Sequence, residues 1–64
     1  MKPGTLVTPV GMVYVFFRPF PEIAESCIFE QGQIGIVLGQ SITELCILTG
    51  EHIGWVTTER VKTV

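Results

Sequence analysis

Short apolar segments separated by glycine, proline and polar residues run along the whole chain, which is the pattern of short β-strands joined by turns. β-branched and aromatic residues dominate these segments, as is typical of strands. The predicted strands cover residues 5–8, 12–17, 33–39, 45–49, 52–56 and 61–64, with a short extended piece at 27–30. Five or six short strands at roughly ten-residue spacing predict one small all-β barrel domain over residues 1–64.

Residues 42–49 also carry a helix signal. Ser41 and Glu44 fit a capping box, and Gly50 could end a helix. Because that helix would have only about two turns and many β-branched residues, a strand is favoured here.

Alternation along residues 33–39 predicts which side chains face the core. Ile34, Ile36 and Leu38 alternate with two glycines and a valine, so the three larger side chains are expected to point inward. The glycines on the other face would allow strong twisting or close approach of another backbone. The predicted core comprises Leu6, Ile34, Ile36, Leu38, Leu45, Ile47, Ile53, Trp55 and Val61.

A long hydrophobic loop is predicted between the strand at 12–17 and the turn at Gln31-Gly32. Pro19 and Pro21 favour a stiff extended excursion over residues 18–22, and residues 23–26 could make one helical turn at most. Long loops inside compact domains are usually functional, so this loop is a candidate binding element.

The segment 12–29 carries more apolar side chains than a small barrel can bury. In the strand at 12–17, alternation places Met12, Tyr14 and Phe16 on one face and the remaining three residues on the other. Both faces are apolar, so one is expected to meet the core and the other a partner. A five-stranded barrel holds roughly a dozen inward side chains, and the predicted core nearly fills it. The predicted interaction residues are Tyr14, Phe16, Phe17, Phe20, Phe29 and Trp55. The alternative is a monomer with an aromatic surface. For Trp55 itself, whose place after Gly54 suits the wall of a barrel, a half-buried structural role is favoured over a binding platform.

Composition also favours association with protein. The chain is 47% hydrophobic and 16% charged, which is more apolar surface than 64 residues can enclose. Its net charge is −2, and its four cations form no basic stripe, which disfavours nucleic acid as a partner. The longest apolar run, residues 12–17, is far shorter than the roughly 20 residues of a membrane span. A soluble protein of the cytoplasm is expected.

Catalytic and metal-binding patterns are missing from the sequence. With no Asp and no Asn, the chain cannot assemble a Ser-His-Asp or Cys-His-Asn triad. Glu51 and His52 are neighbours on a strand and would point to opposite faces. Cys27, Cys46 and His52 are three metal ligands at most, without the close spacing of zinc sites. No catalytic, metal-binding or cofactor-binding residue is predicted, and the two cysteines are expected to be reduced, with a disulfide as the alternative.

The run from Gly50 to Val64 carries the most specific pattern: Gly50-x-x-x-Gly54-Trp55-Val56-x-x-x-x-Val61-x-x-Val64. It resembles the closing segment of SH3-like barrels, especially bacterial and phage forms. The resemblance implies a hairpin that ends in Gly-aromatic-aliphatic, a short 3₁₀ turn and a closing strand, with the long loop as the RT-type loop. The match is good over about fifteen residues and rests on strand order elsewhere.

In peptide-binding members of that family, the resemblance implies a proline and a tyrosine at two positions of the binding groove. This chain has Thr57 and Arg60 there. The chain also has no Ala-Leu-Tyr-Asp-Tyr run, no tandem tryptophan and no acidic run in the loop. Recognition of a polyproline helix requires an aromatic floor, so a proline-rich peptide is disfavoured as a partner.

These observations favour a non-catalytic interaction or assembly module that self-associates through the hydrophobic segment 12–29. Two alternatives stay open. One is an oligomeric enzyme with a shared active site at a symmetry axis. The other is an accessory subunit of a larger complex such as a phage particle, which would place the protein in the host cytoplasm or the virion. The expected partner is a protein, either a second copy or another chain, and no cofactor is expected.

Overall fold

In the computed structural model, residues 1–17 and 26–64 are described, and they form one curled antiparallel β-sheet shaped like a half-barrel. The strands are β1 (Leu6–Pro9), β2 (Val13–Phe16), β3 (Ser26–Phe29), β4 (Gly35–Gln40), β5 (Glu44–Thr49), β6 (His52–Thr57) and β7 (Val61–Thr63), with a 3₁₀ helix (Thr58–Arg60) before β7. The order across the sheet is β3-β2-β6-β5-β4-β1-β7. The predicted all-β class and small barrel-type architecture are confirmed.

The strand predictions hold with small shifts of their bounds. β3 pairs with β2 along its whole length, from Val13 opposite Phe29 to Phe16 opposite Ser26, so the short extended piece is a full strand of the sheet. β5 is a strand, as favoured over the helix, because it pairs with both β4 and β6. The predictions for residues 18–25, including the proline excursion and Phe20, lie outside the described residues.

The core lies on the inner face of the curled sheet and is built mainly of small aliphatic side chains. It comprises Val7, Val13, Val15, Phe29, Val37, Leu45, Ile47, Val56 and Val61. One face of β2 meets the core, as predicted, since Val13 and Val15 are buried while Met12 and Tyr14 are exposed. Leu45, Ile47 and Val61 also lie in the core as predicted.

The predicted facing of β4 is wrong. Gly35 and Val37 are buried, whereas Ile34, Ile36 and Leu38 are exposed on the outer side. A Cβ atom on Gly35 would lie 3.1 Å from Cδ1 of Ile47 and 3.4 Å from Cζ of Phe29. Space inside the sheet is therefore so narrow at this point that glycine faces inward and the large side chains face outward.

The same reversal occurs in β6 and β1. Gly54 and Val56 face inward, so Ile53 and Trp55 lie on the outer face, contrary to their predicted place in the core. A Cβ atom on Gly54 would meet Cγ1 of Val15 at 2.5 Å and the carbonyl oxygen of Phe16 at 2.8 Å. In β1, Val7 is buried and Leu6 is exposed, because Val7 already fills the inner position.

Candidate functional site

The outer face of the β2–β3 pair brings together part of the predicted interaction set. The rings of Tyr14 and Phe16, two positions apart on β2, have centroids 6.3 Å apart. Phe16 lies opposite Trp55 of β6 in the sheet register. Tyr14 is 54% exposed, while Phe16 and Trp55 are half-buried. Three of the predicted residues thus lie side by side on the outer face of the sheet, which we treat as one cluster.

Two further residues enlarge this cluster. Ile28 of β3 lies opposite Tyr14 and is 44% exposed, and Met12, directly before β2, is 62% exposed. Sequence alternation placed Met12 on the same face as Tyr14 and Phe16, but nothing in the sequence paired Ile28 with Tyr14. We call the five residues Met12, Tyr14, Phe16, Ile28 and Trp55 the hairpin face. None of them carries a charge.

The other predicted interaction residues lie elsewhere. Phe29 is fully buried in the core, where it packs beside Gly35, so its ring is not part of the surface. Phe17 stacks on His52, with ring centroids 5.6 Å apart and planes 24° apart. Phe20 is outside the described residues.

A groove of about 590 Å³ opens beside the hairpin face. One wall is apolar and comes from β2, whereas the opposite wall comes from the β4–β5 turn, the end of β6 and the 3₁₀ helix. The lining residues are Met12, Val13, Tyr14, Phe16, Thr43, Glu44, Thr57 and Arg60. The groove therefore combines aromatic and aliphatic surface with one carboxylate and one guanidinium.

Hydrogen bonds hold the polar wall in place. The backbone N–H and the hydroxyl of Thr58 donate to the carbonyl oxygen of Thr43 at 3.1 and 3.2 Å. The N–H of Ser41 donates to the carbonyl oxygen of Glu44 at 2.8 Å, and the N–H of Glu44 donates to Oγ of Ser41 at 3.3 Å. These bonds tie the β4–β5 turn to the segment that carries Arg60.

Thr57 and Arg60 stand at the two positions where the family resemblance implied a proline and a tyrosine. Both line the groove. A threonine and an arginine supply hydrogen-bond donors and a positive charge in place of rings. The contribution of Glu44 and Arg60 to one groove was missed at the level of sequence, because the two residues are far apart along the chain and no local pattern joins them.

The two cysteines lie on opposite faces of the sheet and form no disulfide in the structure. Cys27 packs against the core from β3, and Cys46 lies on the outer side of β5, opposite Trp55. Burial raises the pKa of both thiols above the ordinary value, because the thiolate would lose hydration. The thiolate form of each cysteine is therefore less populated at neutral pH than in an exposed thiol.

Within residues 1–17 and 26–64, no three His, Cys or Glu side chains come close enough together to hold a metal ion. The described part of the chain also contains no helix long and apolar enough to cross a membrane. The groove and the hairpin face together offer an exposed apolar surface, and the groove adds the charged side chains of Glu44 and Arg60.

Comparison with known proteins adds no relative. No protein-family model, curated protein or solved structure matches this chain.

Proposed function

We propose that the chain is a non-catalytic assembly module, an SH3-like barrel that associates with copies of itself through the hairpin face. The observation that carries the proposal is the exposure of Met12, Tyr14 and Ile28 at 62%, 54% and 44%, next to the half-buried rings of Phe16 and Trp55. Contiguous exposed apolar surface of this kind marks interaction sites on small proteins. Burying this surface against protein stabilises the complex by about 25 cal/mol for each Å² of apolar area removed from water.

The chemistry of the hairpin face favours a second copy as the partner. In a two-fold dimer the same patch meets itself, so a charged residue near the axis would meet its own like-charged copy. The five residues carry no formal charge, although the chain as a whole has a net charge of −2. Apposition of two hairpin faces therefore buries apolar surface without repulsion inside the patch.

The first experiment measures the mass of the purified protein in solution over a wide range of concentrations, by light scattering and sedimentation velocity. A dimer or larger oligomer that dissociates on dilution is expected. A protein that stays monomeric at every concentration would overturn the proposal.

A matched pair of variants locates the contact. Ile28 and Leu6 are exposed to nearly the same degree, 44% and 45%, but lie on β3 and β1 at opposite sides of the sheet. Ile28→Ser is expected to weaken association, whereas Leu6→Ser is expected to leave it unchanged. Equal effects of the two substitutions would contradict a contact through the hairpin face.

A further inference from the structure

Among the sulfur-containing side chains of the protein, that of Met12 is the most exposed. The sequence contains two methionines and two cysteines. Met12 is 62% exposed, whereas Met1, Cys27 and Cys46 are half-buried. Met1 and Cys27 also pack against the core. An oxidant in solution therefore has better access to the thioether of Met12 than to any other sulfur atom of the chain.

Ionisation further limits the reactivity of the two cysteines. The thiolate, not the thiol, is the form of cysteine that an oxidant attacks. Burial raises the pKa of the Cys27 and Cys46 thiols, so that little thiolate is present at neutral pH. A methionine thioether has no proton to lose, so its reaction does not depend on such an ionisation.

Met12 lies where a change of polarity acts directly on the proposed contact. It belongs to the hairpin face, and together with Tyr14 and Phe16 it lines the apolar wall of the groove. Oxidation of a methionine converts a flexible apolar side chain into a polar one and disrupts interfaces built on methionine. A sulfoxide at residue 12 would place a strong hydrogen-bond acceptor on the hairpin face.

We propose that Met12 is a site of reversible oxidation by hydroperoxides and that its oxidation weakens self-association. The inference rests on the proposed function and adds its regulation. The thioether sulfur donates an electron pair to one oxygen of hydrogen peroxide, the O–O bond breaks, and an S–O bond forms. The proton of the transferred oxygen passes to the departing hydroxide, which leaves as water. The sulfur thus loses the two electrons that the peroxide gains.

The reverse reaction needs a thiol reductant and a methionine sulfoxide reductase. Two thiols supply two electrons and become a disulfide, the S–O bond breaks, and the oxygen leaves as water. The thioether is regenerated, so the apolar hairpin face is restored.

Association and oxidation oppose each other in this arrangement. Peroxide reaches Met12 in the dissociated chain, since the hairpin face is covered in the oligomer. The sulfoxide is hydrated in the dissociated chain and loses that hydration when the face is covered, which is unfavourable without a new hydrogen bond. Oxidation therefore shifts the equilibrium toward the monomer, and a higher protein concentration is expected to slow the oxidation of Met12.

Peroxide treatment of the purified protein provides the test. Peptide mass spectrometry locates the added oxygen, and sedimentation velocity over a range of concentrations measures association. Met12 is expected to be oxidised severalfold faster than Met1. The oxidised protein is expected to associate about tenfold more weakly or worse, because a polar group is buried without a partner. Treatment with dithiothreitol and the reductases for both sulfoxide epimers is expected to restore association.

Two substitutions separate Met12 from the other sulfur atoms. Met12→Leu keeps an apolar side chain but removes the thioether, while Met1 and both cysteines remain. Its association, compared before and after peroxide, is expected to be insensitive to the oxidant. Met12→Gln places an uncharged polar group on the hairpin face and is expected to associate weakly without any oxidant. Circular dichroism checks that each variant is folded, as expected for a residue outside the core.

The outcomes distinguish this inference from the proposed function. A protein that is monomeric at every concentration before oxidation overturns the proposed function and the regulation with it. An oligomer that associates equally well after complete oxidation of Met12 overturns the regulation alone. The regulation also fails if Met12→Leu loses association on peroxide treatment as strongly as the unmodified protein, because another sulfur atom would then be responsible.

Discussion

At the scale of single residues, Gly54 shows how closely two strands of this sheet approach. β2 passes so near β6 that a Cβ on Gly54 would lie 2.5 Å from Cγ1 of Val15 and 2.8 Å from the carbonyl oxygen of Phe16. Backbone cannot move aside as a flexible side chain can. Gly54→Ala is therefore expected to lower the free energy of unfolding by about 1–3 kcal/mol, the range for overpacked interiors, as measured by urea denaturation.

Gly39 is the matched control for this substitution. It lies in β4, has no positive φ, and has no atom within 4 Å of the position that a Cβ would occupy. Gly39→Ala is expected to change stability by no more than about 0.5 kcal/mol. If the two alanine variants unfolded at the same urea concentration, the close approach of β2 to β6 would not be a feature of the folded protein.

For Trp55, the local sequence predicts how exposed the side chain is but not which face of the sheet it occupies. Its position after Gly54 predicted a half-buried side chain on the wall of the sheet, and that is where it lies. Its assignment to the core was wrong, because the face that Trp55 occupies depends on the approach of β2 to Gly54. That contact joins residues far apart in the chain, and no local pattern contains it.

At the scale of elements, alternation predicted where the strands lie better than it predicted which face of each strand is buried. Period-two alternation separates Ile36 and Leu38 from Gly35 and Val37, but it does not say which pair faces inward when both are apolar. Side-chain size favoured the isoleucine and leucine. The narrow interior, already occupied by Phe29 and Ile47, favours glycine and valine.

The capping-box signal at Ser41 and Glu44 corresponds to real hydrogen bonding in a different element. Oγ of Ser41 accepts a bond from the N–H of Glu44 at 3.3 Å, as it would at a helix start. Here the same bond closes the turn between β4 and β5. Pairing of β5 with strands on both sides decides against the helix, and that pairing is a long-range effect.

The orientation of β4 can be tested with one substitution made on each face. Val37→Thr keeps the shape of a buried side chain but adds a hydroxyl inside the core, at an expected cost of about 1–3 kcal/mol. Ile36→Thr, on the outer face where the side chain is 38% exposed, is expected to cost less. The measurement is the urea midpoint of each variant, and a larger loss for Ile36→Thr would favour the facing that side-chain size predicted.

At the scale of the whole molecule, the outer face of the sheet is apolar well beyond the hairpin face. Ile53, Leu48, Ile36 and Leu6 lie opposite one another in register across β6, β5, β4 and β1. Composition predicted this surplus, since the chain is 47% hydrophobic and the inner face holds few side chains. What composition could not predict was the location of the surplus: Tyr14, Phe16 and Trp55 gather at the surface, whereas Phe29 fills the core.

Trp55 offers a direct view of whether copies of the chain cover the hairpin face. It is the only tryptophan in the sequence and lies half-buried opposite Phe16. Because indole emission moves to shorter wavelength when water is excluded, the emission of the protein is expected to shift in that direction as concentration rises and copies associate. In Ile28→Ser the shift should require a higher concentration, and in Leu6→Ser it should follow the unmodified protein. An increase in mass with constant emission would place the contact away from Trp55, on the remaining outer face formed by β1, β4 and β5.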